Sequence, residues 1–508
     1  MNAPRHIVVV GRDAPVWLSA CVLQHALGAA GVSVSVVELP PRAEPADVCV
    51  SLPALEALHA RLRIEEPRLI GATRGAFSLG RRFTDAAGRV PPFFHAHGST
   101  GTRIDRKDFL AQWLLARQRG GTASFEEFSL TASAARHGRM LLPDAAIDGF
   151  GFTDYGYHLP AIPYGAWLRQ FALRRGVRLH PARAIEVMLH ESGAISGVRL
   201  EDGRHVGGDF FLDVTGPEAL LAGAQPGDPP GAGRESWRDA FPIDRVLGGC
   251  GELRAPLPIY SEIRAEPAGW AALAASQVCM HVQHAYCSEM LSDAAALEMA
   301  RGMGLQAVVV RDRHPGRRKR AWIANCVAIG EAACVPDPLH FLDLHTVQLG
   351  LVHLLHLFPV QADFSVERDE YNQNLRAAFE RMRDFQSAHY HLARYGDAAP
   401  FWSRARAARI SPELAHKLDA FRVRGEAAHY EDETFNIDDW QQLFIGHGVI
   451  PGSWDPAVER TDPQLLDGEL QRTLDFIRRK VEEQGTHADY LQRVCALPGA
   501  RPAPRPHS

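Results

Sequence analysis

The 508-residue sequence has no long hydrophobic run and little excess of either charge. No stretch of 18 or more apolar residues is present, so the sequence offers no membrane-spanning helix. Lys plus Arg number 55 and Asp plus Glu number 60, which gives a formal net charge of −5. This near balance excludes the basic surface that most nucleic-acid-binding proteins use against phosphates. We therefore expect neither a membrane span nor a DNA or RNA partner.

Cysteines are few and form no C-x-x-C pair. The eight stand at positions 21, 49, 250, 279, 287, 326, 334 and 495. Such scattered cysteines predict thiols in a reducing compartment rather than a disulfide framework. The N-terminal segment MNAPRHIVVVG lacks the apolar region and small-residue cleavage site of a secretory signal. A cytoplasmic location is the resulting expectation.

The first forty residues have the pattern of a β-α-β unit. An apolar run, HIVVV, ends at Gly11; an apolar-periodic stretch follows from Trp17 to Leu27, and a second run, VSVSVVE, ends at Glu38. A dinucleotide-binding fold usually begins in this way, with the pyrophosphate held by the first turn and the ribose by the acidic residue. A solvated strand end is the alternative interpretation of Glu38.

The glycine fingerprint of that first turn is incomplete. The pattern G-x-G-x-x-G reads GRDAPV here, so that Asp13 replaces the second glycine and Val16 the third. The second glycine lets the backbone approach the pyrophosphate, and the third lets the helix pack closely on the strand. A carboxylate against phosphates costs about a few kcal/mol, which Arg12 offsets in part. We therefore expect dinucleotide binding at this turn to be weakened or lost.

Helical periodicity dominates the second half of the chain. The pattern predicts a helix over 160–176, two or three strands within 177–215, strands within 305–330, and helices over Leu344–Phe358, Glu367–Tyr395, Pro412–Arg424 and Leu465–Leu491. The tail, residues 496–508, is Pro-rich and is expected to be disordered. No internal repeat is evident.

Four separate segments carry a resemblance to a known family. They are GATRGAFSLGRRF (71–83) with FFH (93–95), YHL (157–159) with DVTG (213–216), RRKRAWIANCVAIG (317–330), and the stretch from DEYN (369–372) through MRDF (382–385) and HYH (389–391) to PFW (400–402). Together they make the chain similar to the flavin-dependent tryptophan halogenase family.

That resemblance implies an α/β fold, with a flavoprotein-monooxygenase-like FAD-type module built from a βαβ Rossmann-like unit and β-sheets, and a mostly helical substrate or C-terminal module. It implies an FAD-module-like core over 1–360, with substrate-module segments at about 85–155 and 225–305, and a helical region over 361–495. The cofactor-binding positions that it suggests are Gly11, Glu38, Asp213, Gly216 and Gly330. Plain turns are the alternative interpretation of Gly216 and Gly330.

The family's catalytic positions hold other residues in this chain. The family uses FAD reduced by a separate reductase to oxidise halide, and a lysine relays the halogen to an arene. The lysine motif reads Ser78-Leu79-Gly80, and the P-L-E-S-T-G glutamate becomes His340, with Asp343 where a glycine near the halide is expected. The W-x-W-x-I-P signature falls on SQVCMH, residues 276–281, without its tryptophans.

These replacements favour a degenerate, halogenase-inactive family member, a binding or partner subunit in a bacterial-type biosynthetic pathway. Its partner would be an active halogenase paralogue or a second copy, with a small aromatic or peptide ligand. The alternatives are an FAD-dependent oxidoreductase or monooxygenase, and an atypical tryptophan or indole halogenase that uses other residues.

No metal site is expected from the 24 histidines. His281 and His284, His353 and His356, and His389 and His391 stand at ligand-like spacings, but no third ligand accompanies any pair at a telling distance in the sequence.

Overall fold

The computed structural model describes residues 4–144, 152–226, 233–361, 363–395 and 399–496. Within these ranges the strands are β1 (His6–Gly11), β2 (Ser33–Glu38), β3 (Val48–Val50), β4 (Ala76–Ser78), β5 (Gly80–Asp85), β6 (Phe93–Ala96), β7 (Gly156–Pro160), β8 (Arg178–Pro181), β9 (Ile185–Leu189), β10 (Ile195–Leu200), β11 (His205–Gly207), β12 (Phe210–Val214), β13 (Arg234–Ser236), β14 (Arg245–Gly251), β15 (Ser261–Glu266), β16 (Gly269–Ala275), β17 (Met280–Tyr286), β18 (Gln306–Asp312), β19 (Gly316–Arg318), β20 (Trp322–Ile323), β21 (Cys326–Ala328) and β22 (Cys334–Val335).

The helices of the same ranges are α1 (Asp13–Leu27), α2 (Ala54–Arg61), α3 (Glu66–Thr73), α4 (Phe109–Gln118), α5 (Leu130–Arg136), α6 (Ala161–Arg174), α7 (Asp293–Gly302), α8 (Asp343–His356), α9 (Ser365–His391), α10 (Pro400–Ala407), α11 (Pro412–Arg424), α12 (Ile437–Gly446), α13 (Pro463–Glu483) and α14 (His487–Ala496). None of the helices in the described part of the chain is long and apolar enough to cross a membrane.

A six-stranded sheet contains the N-terminal β-α-β unit. Its order is β20-β21-β12-β1-β2-β8, with β21, β12, β1, β2 and β8 parallel to one another. Ile7 to Val10 of β1 are completely buried, as continuous β-branched runs are when both faces of a parallel sheet are covered. Gly11 pairs with Val214 on one side and with Glu38 on the other. The predicted cofactor residues of these three strands therefore meet at one sheet edge.

A seven-stranded sheet forms the second layer. Its order is β18-β14-β17-β16-β15-β5-β6, and all of its pairings are antiparallel except that of β15 with β5. One continuous cluster of buried apolar side chains extends from Ile7 of the first sheet to Trp270 of the second and to Phe444 of α12. The C-terminal helices thus share a core with both sheets.

The α/β class and the helical C-terminal region are confirmed. The helices expected over 160–176, 344–358, 367–395 and 412–424 match α6, α8, α9 and α11. Strands also occupy 305–330 as expected, whereas 178–214 holds five strands, more than the two or three predicted. The domain boundaries remain predictions, and the expected disordered tail, after Ala496, lies outside the described residues.

The single helix predicted over Leu465–Leu491 is wrong. Gln484 leaves the helical conformation, with ψ of 143°, and a second helix, α14, starts at His487. The reason is tertiary, because the His487 ring accepts a hydrogen bond from the Phe77 N–H at 3.3 Å and the Gly485 carbonyl accepts one from Met140 N–H at 3.1 Å. Docking of α14 on the β4 region therefore interrupts the amphipathic pattern.

We predict that Gly269→Ala destabilises the protein by about 1–3 kcal/mol, because overpacking forces backbone shifts. A Cβ at Gly269 would lie 1.9 Å from the Ala285 carbonyl oxygen, where β16 pairs with β17. Urea unfolding measures the effect. The control is Gly302→Ala, whose Cβ would meet nothing within 4 Å. Equal midpoints for the two variants would contradict the prediction.

Candidate functional site

The turn after β1 carries a carboxylate. A Cβ at Gly11 would lie 2.3 Å from the Val214 carbonyl oxygen, so the strand spacing itself requires this glycine. Asp13 has a left-handed backbone with φ of 59°, and its Oδ2 accepts a hydrogen bond from Arg42 N–H at 3.0 Å. Arg12 donates to the Pro40 carbonyl at 3.3 Å. Burial lowers the pKa of Arg12, and the nearby Arg42 acts in the same direction.

Glu38 lies beside a cleft of about 610 Å³, which Asp13 and Trp17 also line. Its Oε1 accepts a hydrogen bond from Trp17 Nε1 at 3.0 Å, and its Oε2 accepts one from Arg169 Nε at 3.2 Å. Each carboxylate oxygen has a further lone pair, so Glu38 is fixed by the protein and keeps acceptor capacity toward the cleft.

The Asp213 carboxylate of β12 stabilises the loop that follows this strand. Its carboxylate is fully buried and accepts hydrogen bonds from Thr215 N–H, Thr215 Oγ1, Leu221 N–H and Ala222 N–H, at 2.7 to 3.1 Å. Burial raises the pKa of Asp213, against the effect of these donors. The network fixes the loop that contains Gly216, where φ is 98°. The resemblance suggested a cofactor contact for Asp213, and the geometry gives its carboxylate intramolecular partners.

The segment from Gly330 to α8 is rich in charge. Gly330 has φ of 64°, and a Cβ there would lie 2.9 Å from Val347 Cγ2. Arg313 bridges Glu331 and Asp343, the first residue of α8. Burial opposes the Arg313 charge, but the two carboxylates raise its pKa. A helix N-terminus favours anions, and the N-terminus of α8 already has the Asp343 carboxylate beside it.

Ser78 is almost completely buried at the end of β4. Its Oγ donates to the Gly80 carbonyl at 3.2 Å, and its backbone pairs with Gly156 of β7. The neighbouring Phe77 ring packs against Tyr155 and Tyr490. A hydroxyl in this setting has no amine to form a haloamine and no ammonium to donate a proton.

His340 belongs to a chain of three buried imidazoles. Its Nε2 lies 3.1 Å from His389 Nε2, and His389 Nδ1 lies 3.0 Å from His447 Nε2. Burial lowers the pKa of all three, that of His447 to about 3. The rings of Phe385 and Phe435 pack against His340. Because burial lowers their pKa values, the three imidazoles are neutral at physiological pH.

Sequence reasoning singled out His340 and, separately, His389. It did not place the two together, and it missed His447 and Arg81. His447 follows α12, and Arg81 of β5 donates from Nη2 to the His340 carbonyl at 2.9 Å. His389 can be recognised as a polar residue on the buried face of α9, whereas no feature of the neighbouring sequence distinguishes His447. The hydrogen bonds between the rings offset part of the cost of burying them, although His340 Nδ1 has no hydrogen-bond partner among the described residues.

The comparisons with known proteins agree on one family. A family model described as tryptophan halogenase matches residues 6–463. The tryptophan 6-halogenase ThaL of Streptomyces albogriseolus is 25% identical over 506 residues, 92% of this chain and 94% of that protein. Two solved structures, the flavin-dependent halogenases BrvH of Brevundimonas sp. BAL3 and Xcc4156 of Xanthomonas campestris, are each 28% identical with a TM-score of 0.90. They cover 97% and 99% of this chain, which covers 99% and 100% of theirs.

We predict that the buried histidines make the free energy of unfolding decrease as the pH falls. Their pKa values in the folded protein lie below the unfolded value of about 6.5, so the unfolded chain binds more protons below that pH. The free energy of unfolding should decrease from about pH 7 to about pH 5, and His389→Gln should flatten that decrease. Urea titrations at several pH values test this.

The matched control for the pH titrations is His25→Gln, which changes an exposed histidine. It should leave the pH dependence of the parent protein intact. An equally steep decrease in His389→Gln would show that the buried imidazole chain is not its source.

Proposed function

Because the chain belongs to the tryptophan halogenase family, we propose that it is a member that does not halogenate and that acts through binding. In this proposal it is a partner subunit in a bacterial-type biosynthetic pathway, paired with an active halogenase paralogue or with a second copy. The observation that carries the proposal is Ser78, a buried hydroxyl at the position that matches the relay lysine.

The second supporting feature is His340, at the position that matches the catalytic glutamate. Its imidazole is buried, neutral and hydrogen-bonded to His389, so it does not offer a carboxylate for proton transfer. A general acid or base contributes roughly 10² to 10⁴ in rate, so the joint replacement of lysine and glutamate removes most of the rate enhancement.

The family depends on FAD, which makes FAD a plausible ligand of this chain. The residues at the corresponding positions fit it poorly. Asp13 places a carboxylate in the turn that would meet the pyrophosphate. Asp343 at the start of α8 and Glu331, which shares Arg313 with it, add two more carboxylates. Each would repel an anionic ligand unless the neighbouring arginines compensate. FAD binding that is weakened or lost is therefore part of the proposal.

A flavin-dependent oxidoreductase with different chemistry is the second candidate. The cleft of about 610 Å³ beside Glu38 supports it, as do the left-handed glycines Gly216 and Gly330. The absence of both tryptophans from residues 276–281 also removes the barrier that the family places between flavin and organic substrate. FAD affinity separates the two candidates, because the second requires the cofactor.

We predict that FAD binds the protein weakly and that Asp13→Gly strengthens binding at least about tenfold, which corresponds to about 1.4 kcal/mol. Glycine removes the carboxylate and suits the φ of 59°. Asp13→Asn is the matched variant, because it removes the charge alone, and it should show part of the gain. Calorimetric titration with FAD gives all three affinities. A low-micromolar or tighter dissociation constant for the unmodified protein would favour the second candidate.

We also predict that the protein, supplied with FAD, a flavin reductase and halide, forms no chlorinated or brominated tryptophan or indole. Mass spectrometry detects such products by their isotope patterns. The variant Ser78→Lys with His340→Glu and Asp343→Gly should also be inactive, because Asp13 and Val16 still occupy the first turn. Product from the unmodified protein above a protein-free control would refute the proposal, and product from this variant alone would show that the flavin site is competent.

A further inference from the structure

A cluster of two thiols and one imidazole lies at one end of the seven-stranded sheet. Cys250 of β14 is paired directly opposite His281 of β17, and Cys279 stands in the turn that precedes β17. The potential ligand atoms of these three residues all lie within 4.8 Å of one another. Cys279 Sγ is 2.6 Å from Cys250 Sγ and 3.8 Å from His281 Nε2.

The orientation of His281 is fixed by a second contact. Its Nδ1 lies 2.8 Å from the Ala46 carbonyl oxygen. Because a carbonyl only accepts hydrogen bonds, Nδ1 carries the proton and Nε2 keeps the lone pair. Cys279 Sγ lies beside the ring, 3.8 Å from Nε2 and 3.9 Å from Nδ1. Metal-binding histidines are usually held in this way by a carbonyl or carboxylate on the other ring nitrogen.

The hydroxyl of Ser276 occupies that lone pair in the metal-free site. It lies 3.0 Å from His281 Nε2, where it donates a hydrogen bond, and 3.4 Å from the Cys279 carbonyl oxygen, which is an alternative acceptor. A cation about 2.0 Å from Nε2 needs the space that this oxygen fills, so binding requires the Ser276 side chain to rotate about χ1 and to give up its hydrogen bond to the imidazole.

We propose that Cys250, Cys279 and His281 bind one thiophilic divalent cation of the zinc type. Zinc bonds of about 2.3 Å to sulfur and about 2.0 Å to nitrogen place tetrahedral ligand atoms roughly 3.5 to 3.8 Å apart. The separation of Cys279 Sγ from His281 Nε2 already has this value, and side-chain rotation at Cys250 and Cys279 must separate the two sulfurs by about 1 Å. Two thiolates and a dication make the occupied site neutral.

Protons accompany this binding. A cysteine binds a metal cation as the thiolate, so a protonated thiol must lose its proton on binding. Each thiol exchanges its S–H bond for a sulfur–metal bond, and His281 binds as the neutral imidazole. About two protons should therefore enter solution for each cation bound.

Among the described residues, the cluster has three candidate ligands, one fewer than a tetrahedral site holds. Asp47 is the acidic residue whose charge acts on His281, but both of its carboxylate oxygens are paired with Arg311 at 2.9 Å. Cys250 and Cys279 are each partly exposed, which leaves an approach from outside. A Cys₂His set with a free position can accept a water or another ligand.

This inference replaces the expectation of no metal site. The sequence showed His281 without a third ligand, since Cys250 stands 29 residues before Cys279 and reaches the cluster through strand pairing. Two of the three members, Cys279 and His281, fall within residues 276–281, where the family signature is absent. It does not depend on FAD binding or on the proposed lack of halogenation.

The test uses the full chain, reduced with a phosphine and freed of metal by a chelator in oxygen-free buffer. Zn²⁺ is titrated in competition with a chromophoric chelator, and proton release is followed with a pH indicator. Co²⁺ then serves as a spectroscopic probe, because thiolate ligation gives a charge-transfer band. Cys279→Ser and Cys250→Ser test the site, with circular dichroism to verify folding. Cys495→Ser is the control, since that partly exposed thiol contacts Gln277.

We expect a single tight Zn²⁺ equivalent, release of about two protons, and a Co²⁺–thiolate band. The two cluster variants should bind at least about tenfold more weakly, and Cys495→Ser should bind like the parent. Equal Zn²⁺ affinity in Cys279→Ser and the parent would overturn the proposal. So would recovery of Cys250 and Cys279 as a disulfide when the Zn²⁺-loaded protein, freed of phosphine, is exposed to air as the oxidant; alkylation and mass mapping would detect it, and the pair would then be a redox couple.

Discussion

The parallel pairing of β1 with β12 and β2 is the constraint on which the candidate site depends. Gly11 lies between Val214 and Glu38, and the absence of a Cβ allows that spacing, since one would lie 2.3 Å from the Val214 carbonyl oxygen. The pairing brings the Asp13 turn, the end of β2 and the loop fixed by Asp213 to one sheet edge. Ligands of open α/β sheets bind at such edges, outside the carboxyl ends of the strands.

At that edge several arginine side chains form ion pairs with carboxylates of the protein itself. Arg42 pairs with Glu218, Arg169 with Glu38, and Arg313 with both Glu331 and Asp343. A flavin dinucleotide would bring two phosphate charges to an edge where these three arginines already have carboxylate partners. Displacing such partners leaves carboxylates unpaired, which is costlier the less water reaches them. In the proposal of weakened FAD binding, these internal ion pairs oppose the entry of the phosphates.

Sequence reasoning succeeded where the signal is local. The apolar run of β1 and the helical periodicity of α8, α9 and α11 predicted those elements because each pattern lies within one element. The break at Gln484 escaped because contacts of His487 and Gly485 with distant backbone cause it. The imidazole chain escaped for the same reason, since its members are 49 and 58 residues apart. Resemblance identified the positions of the site, but only the structure shows what surrounds them.

A buried guanidinium lies against the backbone of His340 and affects its imidazole. Arg81 is buried, and it donates to the His340 carbonyl; burial lowers its pKa to about 10. Arg81 also lowers the pKa of His340, so an imidazole near this guanidinium is held neutral. A lysine in place of the buried Ser78 would add another buried cation, and an uncompensated buried charge costs about 3–5 kcal/mol. Neutral side chains at positions 78 and 340 therefore avoid a cost that a charged side chain would bring to this interior.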